Sequence, residues 1–514
     1  MMRVGPCLAV CVFLLATACA EPAANGGDEE PEPIVRRAVY AGSWYPGTAE
    51  ALRAEVTRHL DAAPAPELPS PVRALVSPHA GYRYSGPMAG RTYATIRGRP
   101  IERVVVLAPS HHVGFRKISV PRVTHYETPL GRIPLDLAVR DRLLATPGFT
   151  SNARAHRREH SLEVQLPFLQ VALGSFTLVP LVVGQPPRER HADLADAIRP
   201  LLDEKTLLVV STDFTHYGMN YDYVPFAIDI EKNLAKLDGR VADAVLDRNV
   251  TRLWRVLDET KATVCGRHPL ALMLHLLGRT TPGHRLGYET SGARTGSFEN
   301  SVSYVALAFT SKKPLASLRP PGLSGAERAT LLRLARRTLE EEFASGRRPD
   351  PAAFTITPPL REKRGVFVTL HQGGRLRGCI GYIVGRKPLA EAVIDNALNA
   401  GFRDPRFPPI TAKDLPTLHI EISVMTPLRR ISDPLTGIEV GRHGIVLEKH
   451  GRRGVFLPQV PMEQGWDLEE YLHGICRKAG LRDPEAWREG ATIQTFEAQV
   501  FGEPKVGKGK GERD

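Results

Sequence analysis

The chain has 514 residues, 42% of them hydrophobic, 6 cysteines and a formal charge of +12 at pH 7. That length allows more than one core, since single domains run to about 100–200 residues. The composition excludes fibrous and wholly disordered classes. Apart from the terminal KVGKGKGERD the positive charge is spread along the chain. With no stripe of Arg and Lys interleaved with aromatics, a nucleic-acid partner is not expected.

The first residues, MMRVGPCLAVCVFLLATAC, combine one Arg, a short apolar stretch and small residues before Cys19. This reads as a secretory signal over residues 1–19, too short for a membrane span. LATAC resembles the cleavage box of bacterial lipoproteins, with Leu15 one place earlier than the commonest pattern, and makes Cys19 the candidate lipidation site. An ordinary cleaved signal is the alternative. Residues 20–34 are acidic and rich in Pro and Gly, a composition that cannot pack and reads as a tether. The expectation is an exported protein held to the membrane by its acyl chains on the periplasmic side. Ala20, just after the cysteine, points to an outer membrane where the host has one. Cys7 and Cys11 leave with the signal. Cys265, Cys379 and Cys476 are odd in number and far apart, so no disulfide framework is expected.

Over residues 35–311 short apolar β-branched runs, such as VRALVS, RVVVLA, TLVPLVV and TLLVVS, alternate with amphipathic stretches such as AEALRAEVTRHL. This pattern predicts an α/β layer with helices covering a mainly parallel sheet. SVSYVALAFT reads as its closing strand. Several runs are followed at once by ionisable residues: His79 in SPHAGYRYSG, His111 and His112 in APSHHVG, Asp213 and His216 in STDFTHYG. TVCGRHP adds Cys265 and His268. In an open α/β sheet the carboxyl ends of the strands line one cleft, so these residues are expected to meet there. Two or three imidazoles, a thiol and a carboxylate suit a first-row transition metal, whereas calcium and magnesium prefer oxygen ligands. EHSLEVQLPFL supplies a further pair, His160 and Glu163, spaced by three as on one face of a helix: candidates for a catalytic role, or parts of a plain amphipathic element with a capping serine. The remaining histidines, HYETP included, read as surface or loop residues.

Residues 312–322 lose periodicity, gain proline and read as a linker. Residues 323–504 mix a long helix (GAERATLLRLARRTLEEEF) with strands and two more helices, an α+β pattern, and residues 505–514 form a basic tail. GRHGIVLEKHGRRGVFLPQV reads as a hairpin with HGRRG as its turn. RLRGCIGY places Arg377 and Cys379 between glycines in a strand, where close approach of a ligand or another backbone is possible. FRDPRFPP offers Asp404 and Arg406 in a proline-fixed loop, as an internal ion pair or part of a second-domain site. Cys476 falls on the apolar face of a helix and is expected in the core.

AGSWYP, SPHAGYRYSG, APSHHVG, EHSLEVQLPFL, VSTDFTHYG, CGRHP and SVSYVA, in that order, resemble the Memo family. That family is similar in fold to the class III extradiol dioxygenases, non-haem iron enzymes that open catechol rings. The resemblance implies His79, His111 and Cys265 as the metal set, His216 in the position of the general base and Asp213 beside it. Where those dioxygenases place a glutamate ligand, this sequence has Cys265, a softer and oxidisable donor. RLRGCIGY, NALNAGFRDPRFPPIT, EVGRHGIVLE and PQVPMEQGWDLEEYL resemble the AMMECR family. The two families are components of the AmmeMemoRadiSam set, which implies a radical SAM protein as an associate, in conflict with export. The expected activity is that of a metal-dependent redox enzyme with iron or copper ahead of zinc, acting on a small-molecule or peptide substrate. A non-catalytic metal-binding or peptide-binding scaffold and a zinc-dependent hydrolase are the alternatives.

Overall fold

The computed structural model describes residues 32–63, 66–278, 281–318 and 322–503. The signal, Cys19, most of the tether and the basic tail lie outside them. Among the described residues no helix is long and apolar enough to cross a membrane.

Four strands form the centre of the first half: β1 (Val72–Ser77), β2 (Arg103–Pro109), β3 (Thr177–Val183) and β4 (Thr206–Ser211). They pair in parallel in the order β1-β4-β2-β3. Each is an almost unbroken apolar run because both faces are covered. Ala74, Val76, Val105, Leu107, Leu208 and Val210 belong to one core, while Leu75, Val104, Val106, Leu207 and Val209 belong to the other. This alternation is the period-two geometry of a strand. Helices α1 (Ala49–Asp61), α2 (Tyr82–Ala94) and α4 (Leu166–Leu173), with the single turn α3 (His160–Glu163) before the last, supply the second core. Helices α5 (His191–Ile198), α6 (Ile230–Leu246), α7 (Val250–Thr260) and α8 (Arg267–Leu276) supply the first. Beyond β1 the sheet turns antiparallel, through β7 (Asn300–Thr310), which pairs with β5 (His216–Gly218) and β6 (Gly283–Thr290). The expected α/β layer and closing strand are both present.

Three features differ from the sequence reading. The stretch read as a linker packs on the first half: Leu315 is buried in its core and the Ala316 N–H donates to the Leu202 carbonyl at 2.9 Å. His59, His156 and His191 are buried rather than on the surface. Burial holds all three neutral, at pKa values of about 4, 3 and 3. HYETP is part of a small three-stranded sheet, with Tyr126 buried and its hydroxyl 2.9 Å from His156 Nδ1.

In the second half, β8 (Val366–Gln372), β9 (Arg375–Tyr382), β10 (Leu418–Met425) and β14 (Ala498–Gly502) form an antiparallel sheet in the order β9-β8-β10-β14. Helices α9 (Gly325–Ser345) and α10 (Leu389–Phe402) share its core. A second sheet contains β11 (Gly444–Lys449), β12 (Arg452–Phe456) and β13 (Thr492–Phe496), packed against α11 (Leu468–Lys478), where Cys476 is fully buried. The β11–β12 hairpin forms as expected but its turn is shorter than HGRRG. His450 and Gly451 both have positive φ, 50° and 74°, so two residues close it in the twist that suits a hairpin.

Gly378 sets how closely α10 meets β9. A Cβ there would stand 2.1 Å from the Ala400 carbonyl oxygen. Gly378→Ala must push helix and strand apart, an overpacking cost of about 1–3 kcal/mol. Urea denaturation should show this as an earlier transition of the second half.

Candidate metal centre

β1, β2 and β4 end at one edge of the sheet, and two residues after each stands a polar side chain: His79, His111 and Asp213. Cys265 comes from the loop before α8. The loop approaches closely because Gly266 lacks a side chain: a Cβ there would lie 2.3 Å from Thr212 Cβ. Its N–H instead donates to Thr212 Oγ1 at 2.9 Å.

His79, His111 and Cys265 converge, each with a ligand atom within 4.8 Å of the others. Cys265 Sγ is 3.2 Å from His79 Nε2, and the two imidazole rings stand edge-on with centroids 5.1 Å apart. His79 is buried at 1% exposure, whereas the His111 side chain is 25% exposed and forms the mouth.

The hydrogen bonds behind the rings decide which nitrogens face inward. Ser211 Oγ donates its proton to the Ser161 carbonyl at 2.6 Å, so its oxygen accepts from His79 Nδ1 at 2.8 Å. Gln165 Nε2 donates to the same oxygen at 2.8 Å and to the Pro78 carbonyl at 2.9 Å. His111 Nδ1 donates to Glu159 Oε1 at 2.8 Å, and its backbone N–H donates to Oε2 at 2.8 Å. Both imidazoles therefore carry a proton on Nδ1 and turn Nε2 toward the sulfur, the arrangement in which a rear hydrogen bond orients a metal-binding histidine.

Charge follows from these contacts. Burial, helped by the charges of His111, His160 and His216, holds His79 well below the ordinary histidine value. Burial works against a charge on His111 too, but Cys265 and Glu159 outweigh it and lift that histidine to about 10. For Glu159 burial is likewise overruled, by His111, and its carboxyl falls to about 2. A metal ion would take the place of the His111 proton. Two nitrogens and one sulfur fit iron, copper or zinc and match poorly the oxygen-seeking calcium and magnesium.

Asp213 lies under His79: its Oδ1 accepts the His79 N–H at 2.7 Å, and its own N–H donates to Cys265 Sγ at 3.2 Å. Burial raises its pKa to about 7 against the hydrogen bond from His79. His216 Nδ1 lies 3.0 Å and 3.1 Å from the Phe214 and Thr263 carbonyls, which can only accept, so Nδ1 holds the proton and Nε2 is free to take one. Burial lowers its pKa.

His160 and Glu163 have different partners. The His160 ring lies 4.4 Å from that of His111 and 4.4 Å from that of Trp44, and burial lowers it to about 3. Glu163 is fully buried away from the three donors. It pairs with Arg36, accepts from the Val39 and Tyr40 amides at 3.0 and 2.8 Å and from Tyr45 Oη at 2.5 Å. Glu163 therefore anchors residues 39–45, whose Trp44 and Tyr40 rings pack on His160 with centroids 4.4 and 5.8 Å away. Glu159, Ser211, Gln165 and Trp44 were not singled out in the sequence. Glu159 adjoins His160 and caps α3, and only that adjacency marked it.

In the second half Arg377, Cys379, Asp404 and Arg406 gather along the outer edge of β9. Asp404 Oδ2 accepts from the Cys379 N–H at 2.8 Å and from Arg406 at 2.7 Å, and Arg406 reaches the Cys379 carbonyl at 3.0 Å. The Arg406 guanidinium holds the Asp404 carboxyl well below its usual range. Arg377 donates to the Pro408 and Pro409 carbonyls at 2.5 and 3.0 Å, and Thr369 donates to Cys379 Sγ at 3.1 Å. These bonds close a strand edge that would otherwise present unpaired backbone.

A family model described as Memo-like protein matches residues 36–308. The chain belongs to the Memo-like family. A second model, AMMECR1, matches residues 332–501, so this Memo-like protein carries an AMMECR1 domain behind its first domain. The memo-1 homolog of Caenorhabditis elegans is 33% identical over 286 residues, covering 53% of this chain and 81% of that protein. A protein of Thermofilum pendens is 45% identical over 195 residues, covering 35% of this chain and 91% of its own length. Among solved structures, the uncharacterized protein PH0010 of Pyrococcus horikoshii is similar at 43% identity, covering 34% of this chain and 89% of that one, with a TM-score of 0.31.

Two outcomes follow. Glu159→Ala leaves all three donors but frees the His111 ring, and should weaken metal affinity by about 10–100-fold, read by competition with a chelator. Glu163→Ala strands the Arg36 charge in the core and should cost about 3–5 kcal/mol, read by urea denaturation.

Proposed function

We propose that this Memo-like protein is a metal-dependent redox enzyme in which His79, His111 and Cys265 hold iron or copper. The observation that carries the reading is the preparation of two imidazoles to present Nε2 toward one sulfur. When bound, such a metal supplies one-electron chemistry and a Lewis-acid centre.

The chain's own residues supply the remainder. His216, fixed by two carbonyls with Nε2 unprotonated, is the proton acceptor, a role that histidine fills near neutral pH. Asp213 holds the His79 backbone and the Cys265 sulfur in place. His160 and Trp44 narrow the entrance and offer an aromatic wall to a planar substrate. The family's likeness to ring-opening dioxygenases favours such a substrate, while Cys265 in place of a carboxylate alters the donor set. Export and a lipid anchor at Cys19 complete the reading and rest on the N-terminal sequence alone.

Oxygen uptake by iron- or copper-loaded protein, with catechol or ascorbate as reductant, tests this. His216→Ala should keep its metal and lose about 10²–10⁴-fold in rate. Tight metal binding without uptake in either loaded form would leave a carrier or scaffold in place of an enzyme.

A further inference from the structure

A second concave site lies in the AMMECR1 domain, between the end of β9 and helix α10. It has a volume of about 570 Å³ and is lined by Arg348, Arg386, Lys387 and Arg403 against a single carboxylate, Asp395. Asp395 is already shared, with Arg348 Nη1 at 2.6 Å on one oxygen and Lys387 Nζ at 2.6 Å on the other. Arg386 and Arg403 have no carboxylate within ion-pair distance among the described residues. Among the described residues the Arg403 side chain reaches the Asn399 side-chain oxygen, at 3.2 Å, and the Arg386 guanidinium rests 5.8 Å from the centre of the Tyr382 ring. Both arginines are exposed.

A further observation points to a ligand. The strand edge supplies a donor. Cys379 turns its N–H and C=O away from β8, to Asp404 and Arg406, and Thr369 faces it across the ladder. Gly381, two residues on and opposite Phe367, faces the same edge by the alternation of an antiparallel pair, and it lines the groove.

We propose that this groove binds a phosphate-bearing small molecule, its phosphate held between Arg386 and Arg403 and the edge amide of Gly381. Guanidinium forks match phosphate oxygens in a bidentate geometry, and the excess of cations over Asp395 suits a group carrying more than one negative charge. The volume exceeds what inorganic phosphate fills and falls in the range of small-molecule pockets. The groove is built entirely from the AMMECR1 domain and is independent of the metal donors.

Calorimetric titration of the full chain with inorganic phosphate, pyrophosphate and citrate tests the assignment. Pyrophosphate should bind more tightly than phosphate, and both more tightly than citrate. R386A and R403A should each weaken pyrophosphate by about tenfold or more, while R53A, an exposed arginine on α1, should leave binding unchanged. Absence of binding to either phosphate at millimolar concentration, equal loss in R53A, or preference for citrate would overturn the proposal. Because both arginines are exposed, the variants should keep the parent's unfolding transition, so loss of binding is separable from loss of fold.

Discussion

The parallel pairing of β1 with β4 is the constraint on which the metal centre depends. Ser77 stands opposite Ser211 in that register, and the Thr212 N–H donates to the Ser77 carbonyl at 2.9 Å. Two residues further on, the same register brings the His79 amide to Asp213 and the His79 ring to Ser211. A slip of one residue would turn Ser211 to the other face and leave His79 Nδ1 without its acceptor. The apolar cores on both sides of the sheet hold that register, since slipping would bring every buried valine and leucine out of its layer.

Two carboxylates four residues apart show how the same side chain is put to different uses. Glu159 spends its oxygens on His111 and Ser161, and so sets the direction of a metal-facing ring. Glu163 spends its own on Arg36, two backbone amides and Tyr45, and so fixes the segment that packs on His160. Neither faces solvent. Their difference arises from what the fold brings against them, not from their chemistry.

The two domains meet through polar contacts. Arg328 pairs with Asp193, the Gly325 N–H donates to Asp196 at 2.8 Å, and Asn249 reaches Glu439 at 2.7 Å. Charge-rich interfaces of this kind hold domains in place without merging their cores, and the AMMECR1 domain keeps its own sheet and helices. Its strand edge is sealed by Asp404 and Arg406 around Cys379, then opens beyond Gly381 into the cationic groove. That edge and the metal centre are separate pieces of chemistry in one chain.

The sequence by itself determined the elements and their classes. Apolar runs alternating with amphipathic stretches could only be buried as a covered parallel sheet, and a histidine straight after such a run falls at its carboxyl edge. Those local rules sufficed for His79, His111 and the outline of both domains, and the spaced motifs sufficed for the family. What only the tertiary structure decided was the partner of each polar group: Asp213 under the His79 amide, Glu163 in an anchor on Arg36 and Tyr45, Glu159 behind His111. A buried donor or acceptor must be satisfied, and its partner is whichever group the packed chain brings within reach, from 25 residues away at Asp404 to 186 at Cys265. No local spacing encodes that choice.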